Sequence, residues 1–250
     1  GAATCATHRC SALVVGNANY TRGALPSAVR QDARDVATQL EQLGFKVSRL
    51  LDGTKRQMKN AAKAFSKGVE TGSVSLLYFI GYGLQLDGAN YLLPVDYTIE
   101  QGVKASEKAV SMSGLLQSLA KRKAAVNMFI LDACRRNPFR TKAAAEGLAP
   151  VVAPLGSFVA LAAMPGAVRW LSGAVPEAES LYTRHLLKQL AEPGLQVEEV
   201  FKRLRKQVVN ETDSRQVPWE SSSLVVDFVP NPRRPDKAAA ARPPPRAREL

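Results

Sequence analysis

Two strand-length apolar runs, each stopped abruptly by polar turn residues, constrain this chain more than any other feature. Val126 to Leu131 carries no charge and runs into Asp132-Ala133-Cys134, with Asn137-Pro138 breaking regular structure just beyond. Val74 to Ile80 runs in the same way into Gly81-Tyr82-Gly83. Parallel strands that end in polar, glycine-bearing loops build a crevice at the carboxyl edge of a sheet, the usual seat of chemistry in α/β folds. In an extended chain residues i and i+2 share a face, so Asp132 and Cys134 project the same way. A carboxylate raises the pKa of a neighbouring thiol. Asp132 therefore reads as a receptor for a cation rather than as a helper of Cys134. Taken alone, Cys134 also reads as a small apolar side chain capping a strand.

Strand and helix patterns alternate along the rest of the chain. Ser11–Gly16 reads as a strand, and Val29, Ala33, Val36, Leu40 and Leu43 fall at helical spacing before a stop at Gly44. Phe45–Leu51 is a second strand. A helix from about Thr54 buries Met58, Ala62, Phe65 and Val69 and turns Lys55, Arg56, Lys59, Lys63 and Lys67 outward; the lysine stripe reads as a solvated helix face, with an anion-binding surface as the alternative. Residues 84–94 suggest a hairpin turning at Asp87-Gly88. Ser111 is set to cap a short helix ahead of strand 126–131. A strand at 157–162, helices from about Ser180 and over Val197–Val208, and a last strand at Leu224–Val229 complete the series. The expectation is an α/β fold: a mostly parallel six-stranded sheet flanked by helices on both faces, joined by right-handed crossovers.

A chain of 250 residues, 46% hydrophobic and 22% charged, suits one compact domain. We expect a flexible leader at 1–10, a folded domain at 11–229, and a disordered Pro/Ala-rich tail at 230–250 that holds six basic and two acidic side chains. Cys5, His8 and Cys10 offer at most three metal ligands on that leader, so no metal site is expected. Cys5 and Cys10 could instead pair in an oxidising compartment and leave Cys134 free. The uncharged stretch 147–168 is interrupted by Pro150, Pro154 and Pro165 and does not read as a membrane span. The net charge of +12 permits attraction to nucleic acid or acidic membranes, yet no nucleic-acid motif accompanies it. Compartment stays open between cytoplasmic and exported.

At the two strand ends the sequence resembles the caspase-like cysteine peptidases (peptidase C14) of the metacaspase and bacterial orthocaspase type. In that family one strand ends in Gly-His-Gly and a later one, about 50 residues on, in Asp-Ala-Cys. Asp132-Ala133-Cys134 is intact here, whereas the first motif reads Gly81-Tyr82-Gly83. Ala12–Asn17, Gln31-Asp32-Ala33, Asn90–Asp96 and Val217–Ser223 are similar to further family motifs, so the resemblance spans about residues 11–229. It implies the caspase–haemoglobinase fold, with Cys134 in the nucleophile position and Tyr82 replacing the base histidine. The backbone N–H groups of Gly83 and Cys134 would serve an oxyanion, and Asp32 and Asp132 would receive an Arg or Lys side chain. Capping of the following helix is the structural alternative for Asp32. In the family, the region 140–155 can be cut during maturation, which makes Arg140 and Lys142 candidate cut positions. Trp170 is a candidate wall for a substrate side chain; packing over the sheet edge explains it equally well.

A phenol with a pKa of about 10 is protonated at pH 7 and cannot take a thiol proton as imidazole does. The other histidines are His8, in the leader, and His185, which reads as a helix-surface or part-buried residue. The chain therefore reads as a caspase-like pseudoenzyme that binds basic peptides or partner proteins and regulates active relatives, with no cofactor. The alternative is a slow Arg/Lys-specific cysteine endopeptidase using Cys134 and a non-histidine base.

Overall fold

The computed structural model describes residues 1–99, 104–133, 145–169 and 179–232. Its elements run β1 (Cys10–Gly16), α1 (Ala28–Gln42), β2 (Lys46–Leu51), α2 (Lys55–Gly68), β3 (Val74–Ile80), β4 (Gly83–Leu86), β5 (Ala89–Leu92), α3 (Ala105–Lys108), β6 (Val110–Ser111), α4 (Met112–Ala120), β7 (Val126–Asp132), β8 (Ser157–Leu161), α5 (Leu181–Ala191), α6 (Val197–Glu211) and β9 (Trp219–Ser222). Six strands form one sheet in the order β2-β1-β3-β7-β8-β9. Its pairings are parallel except for β8–β9, which is antiparallel. The remaining strands, β4, β5 and β6, make a small antiparallel sheet.

The apolar runs are strands buried on both faces, which is why they show no polar alternation. Every residue of β3 and β7 is buried. Their side chains divide strictly by parity. Leu76, Tyr78 and Ile80 of β3 and Met128 and Ile130 of β7 join the core beneath α1, α5 and α6. Leu77, Phe79, Phe129 and Leu131 join the opposite core, beneath α2 and α4.

Local sequence signals account for several element ends. Thr54 and Gln57 form a reciprocal capping box on α2. Ser111 accepts the Gly114 N–H at 3.2 Å and caps α4. Asp87 (φ 50°) and Gly88 (φ 76°) make the two-residue turn of the β4–β5 hairpin, with both residues in the left-handed region that a tight hairpin of this twist requires. Close packing of α1 on β1 depends on small residues. A Cβ on Gly16 would lie 2.4 Å from the Ala33 Cβ.

Three expectations need correction. The segment 1–10 is not a free leader. Ala3 is fully buried and bridges Phe228, its N–H bonding Asp227 O at 2.7 Å and its carbonyl accepting from Val229 N at 2.9 Å. Cys5 and Cys10 form a disulfide at the entrance to β1. Secondly, the last strand is Trp219–Ser222 rather than Leu224–Val229. The serines of 221–223 complete the pairing along β8, after which the chain leaves the sheet; Leu224, Val226 and Phe228 cover the core beneath α1 and α6 instead. Their alternation reports a buried face, not a ladder. Thirdly, α1 begins at Ala28 with Ser27 before it, so Asp32 lies inside the helix and caps nothing. Residues 100–103 and the tail from 233 onward lie outside the described residues.

Candidate functional site

Parallel pairing of β3 with β7 sets Ile80 opposite Asp132, so the two strands leave the sheet side by side at its carboxyl edge. At the β3 end, a Cβ on Gly81 would lie 2.5 Å from the Tyr20 hydroxyl, so the chain passes here only as glycine. Tyr82 follows and is 7% exposed. Its backbone N–H donates to Tyr20 Oη at 2.9 Å, and its ring meets the Tyr20 ring edge-on at 4.8 Å between centroids. Tyr20 Oη donates to Leu93 O at 3.1 Å, and the Leu93 N–H donates to Tyr82 O at 2.9 Å. Leu84, Leu93, Tyr97 and Ala109 complete this cluster. Burial raises the Tyr97 phenol above the ordinary tyrosine range. Tyr82 is thus a packed side chain of a small aromatic core.

The Gly83 N–H departs from its expected part as an oxyanion donor. It donates to Ala133 O at 3.0 Å, stitching the start of β4 to the residue after β7. A donor satisfied in this way is not aimed at a substrate atom.

At the β7 end two carboxylates converge. Asp132 closes the strand and is fully buried; Asp32, from α1, is 3% exposed. Both engage a single residue. Ser180 donates its backbone N–H to Asp32 Oδ2 at 2.9 Å and its hydroxyl to Asp132 Oδ2. The Thr183 hydroxyl donates to the same Asp132 oxygen at 3.2 Å and lies 2.6 Å from the Tyr78 hydroxyl. Ser180 is also the N-cap of α5, its Oγ accepting from Thr183 N at 3.3 Å. A buried carboxylate needs charge-assisted donors. The entry of α5 supplies them.

A third carboxylate occupies the same edge. Asp52 accepts the Ala18 and Asn19 N–H groups, each at 2.9 Å, and pairs with Arg30 at 2.8 Å. Burial pushes its carboxyl up, but the Asn19 N–H, Arg30 and the Ala18 N–H outweigh that and hold it below the usual aspartate range.

Among known sequences, the family model of the caspase domain (Peptidase_C14) matches residues 9–229. The chain belongs to the caspase domain family. Human mucosa-associated lymphoid tissue lymphoma translocation protein 1 is 33% identical over 125 residues, half of this chain, and its mouse homolog is 32% identical over the same length. The chain spans about 15% of the length of these relatives.

Within this caspase domain, sequence reasoning named Tyr82, Gly83, Asp32 and Asp132, and the structure gathers all four at one sheet edge in two separate clusters. Cys134, Trp170, Arg140 and Lys142 lie outside the described residues. His185 acts away from this edge. Its Nε2 lies 2.7 Å from Glu211 Oε2, joining α5 to α6. That contact, with Arg184 adding to it against a smaller effect of burial, holds the Glu211 carboxyl below its ordinary value. Sequence reasoning missed Tyr20, Thr183 and the second role of Ser180. Ser180 was legible only as a helix start, because a serine before an apolar run signals a cap and says nothing about distant carboxylates. No helix among the described residues is long and apolar enough to cross a membrane, and none of their His, Cys, Asp and Glu side chains form a metal-binding group.

Proposed function

We propose that this caspase domain has lost efficient amide cleavage and acts by binding basic peptides or basic segments of partner proteins. The observation that carries the reading is Tyr82, which stands where the resembled metacaspase and orthocaspase families keep the base histidine and is packed into an aromatic core. A cysteine peptidase must move the thiol proton to the departing amine. A neutral phenol does not accept that proton at pH 7, and loss of general acid–base help costs roughly 10²- to 10⁴-fold in rate. The Gly83 N–H, bonded to Ala133 O, removes one oxyanion donor as well.

Recognition is the half that persists in this reading. Two carboxylates that meet at one point suit a guanidinium or ammonium, which would take over the acceptors now used by Ser180. A bound Arg or Lys therefore displaces the entry of α5, and the module competes with active relatives for basic substrates. Asp132-Ala133-Cys134, intact in sequence, favours one second reading: a slow Arg/Lys-specific endopeptidase that uses Cys134 with Tyr82, water or a rearranged group as base.

The test is hydrolysis and binding of a fluorogenic Arg peptide by wild type, Tyr82→His, Cys134→Ala and Asp32→Asn/Asp132→Asn side by side. The proposal expects wild type to bind without turnover, Tyr82→His to gain turnover, and the double Asn variant to lose binding. Wild-type turnover that disappears in Cys134→Ala establishes the second reading instead. Absence of binding to wild type ends both.

A further inference from the structure

A groove of about 510 Å³ lies between α2 and α4, and apart from Ala109 its lining residues are distinct from those of the strand-end clusters. Its two walls differ in kind. Lys55, Lys59, Lys63 and Lys67 recur every fourth residue along α2 and form one rim, about 18 Å long at 1.5 Å per residue. Ser106, Ser111, Gly114 and Ser118 form the facing wall. Phe65, Leu77, Val110 and Leu119 make the floor, each less than a tenth exposed. No aspartate or glutamate lines the groove.

A solvated helix face normally interleaves its charges, and α6 does so: Glu199 pairs with Lys202 at 3.8 Å and with Arg203 at 2.9 Å. Nothing comparable occurs on α2. The helix carries five cations and no anion over Lys55–Gly68. Lys59, Lys63 and Lys67 are exposed and form no ion pair among the described residues. Like charges at i, i+4 oppose helix formation, so an unneutralised row of them lacks the ordinary structural justification. An anionic occupant would supply the missing charges.

We propose that the α2–α4 groove docks an acidic amphipathic segment of a partner protein, its apolar side chains on the Phe65–Leu119 floor and its carboxylates along Lys59, Lys63 and Lys67. A trough between two helices with an apolar floor and one charged rim is the receptor half of helix-in-groove recognition. The floor side chains are each less than a tenth exposed, so they do not present the exposed apolar face that an interfacial helix inserts into a bilayer. The groove offers no exposed aromatic ring on which a base could stack, as single-stranded nucleic acid requires. The chain's own segment from 233 onward is basic and has the wrong charge to fill it.

The experiment uses the whole chain and a fluorescein-labelled designed peptide with a leucine stripe and a flanking glutamate stripe, read by fluorescence anisotropy at low and physiological salt. The same peptide with lysine in place of glutamate serves as the negative probe. Four variants are compared. Lys59→Glu/Lys63→Glu/Lys67→Glu reverses the rim, and Lys46→Glu/Lys188→Glu/Lys206→Glu makes the same change in net charge at exposed lysines elsewhere. Gly114→Phe obstructs the groove without altering charge; a Cβ there meets Ser111 at an ordinary 3.6 Å. Ala62→Gln obstructs it from the other wall, so misfolding of one variant leaves the test intact. The expected result is saturable binding of the acidic peptide alone, weakened about tenfold or more by rim reversal and by either obstruction, and less than about twofold by the distal reversal. The proposal fails if the acidic peptide does not bind, if the distal reversal weakens it equally, or if obstruction leaves it unchanged. It fails too if phosphatidylserine vesicles or a single-stranded oligonucleotide bind the same lysines more tightly than the peptide.

Discussion

The ends of β3 and β7 lie side by side on one sheet edge, yet they have been filled in opposite ways. At the β3 end the backbone groups are bonded inward: Tyr82 N–H to Tyr20, Gly83 N–H to Ala133, and Tyr82 O to Leu93. An aromatic core occupies that end. At the β7 end two carboxylates remain buried and are held by hydroxyl and amide donors from the start of α5. Buried carboxylates are costly to a fold, and apolar residues would have packed the same space more cheaply. The contrast teaches that two neighbouring strand ends can be satisfied independently, one by packing an aromatic ring and bonding the backbone inward, the other by aiming donors at buried carboxylates.

The sharpest way to break this comparison is to empty the β3 end. Tyr82→Ala removes a buried ring from contact with Tyr20 and Leu93 and should cost about 3–5 kcal/mol, read by chemical denaturation. If the site were instead an open catalytic pocket, the same change would be nearly neutral. Asp132→Ala comes next. It leaves the Ser180 and Thr183 hydroxyls without their acceptor and should cost about 2–3 kcal/mol. In a double-mutant cycle Ser180→Ala should couple to Asp132→Ala by about 1 kcal/mol or more and to Asp32→Asn by far less, since alanine retains the N–H that Asp32 accepts. Equal coupling to both would mean that the carboxylates act as one structural unit. Tyr20→Phe should cost about 1–2 kcal/mol, because it strips the Tyr82 N–H of its acceptor and Leu93 O of a donor while keeping the ring pair.

Much of this architecture was legible in the sequence, for reasons that differ by element. The strands Val74–Ile80 and Val126–Asp132 were readable because double-sided burial forbids polar alternation, and α2 and α4 because Thr54 and Ser111 are local caps. The pairing of Asp32 with Asp132 was available only through family resemblance, since 100 positions separate them and no local pattern links α1 to β7. The long-range bonds of Ser180, Thr183 and Tyr20 were invisible for the same reason: each acts across the sheet edge on a residue far away in sequence. The segment 224–229 misled because apolar alternation marks a buried face whether or not a neighbouring strand stands beside it. The partner of the Gly83 N–H could not be read at all. A backbone donor's partner depends on tertiary register, not on residue type.

Asp52, the third carboxylate of this edge, is partnered differently from the two beside it. It shares the sheet edge with Asp32 and Asp132 but faces a cation, Arg30, and two backbone N–H groups, and it is only partly buried. Its carboxyl is held below the value it has in the unfolded chain. The folded state then binds the proton less readily than the unfolded state, so the stabilisation is complete above the ordinary aspartate range, near pH 4, and is lost as pH falls through the lower folded value. Asp52→Asn should accordingly cost about 1 kcal/mol at neutral pH, with screening by solvent keeping the figure small, and the difference from wild type should shrink towards nothing on acidification. Thermal melts of both proteins from neutral pH down to about pH 3 measure it. A gap that does not narrow at all on acidification would assign the effect to lost geometry rather than charge. Melts at neutral pH with an added Arg peptide separate Asp52 from the other two carboxylates: if the β7 end receives a cation, wild type and Asp52→Asn should both gain stability, and Asp32→Asn/Asp132→Asn should not.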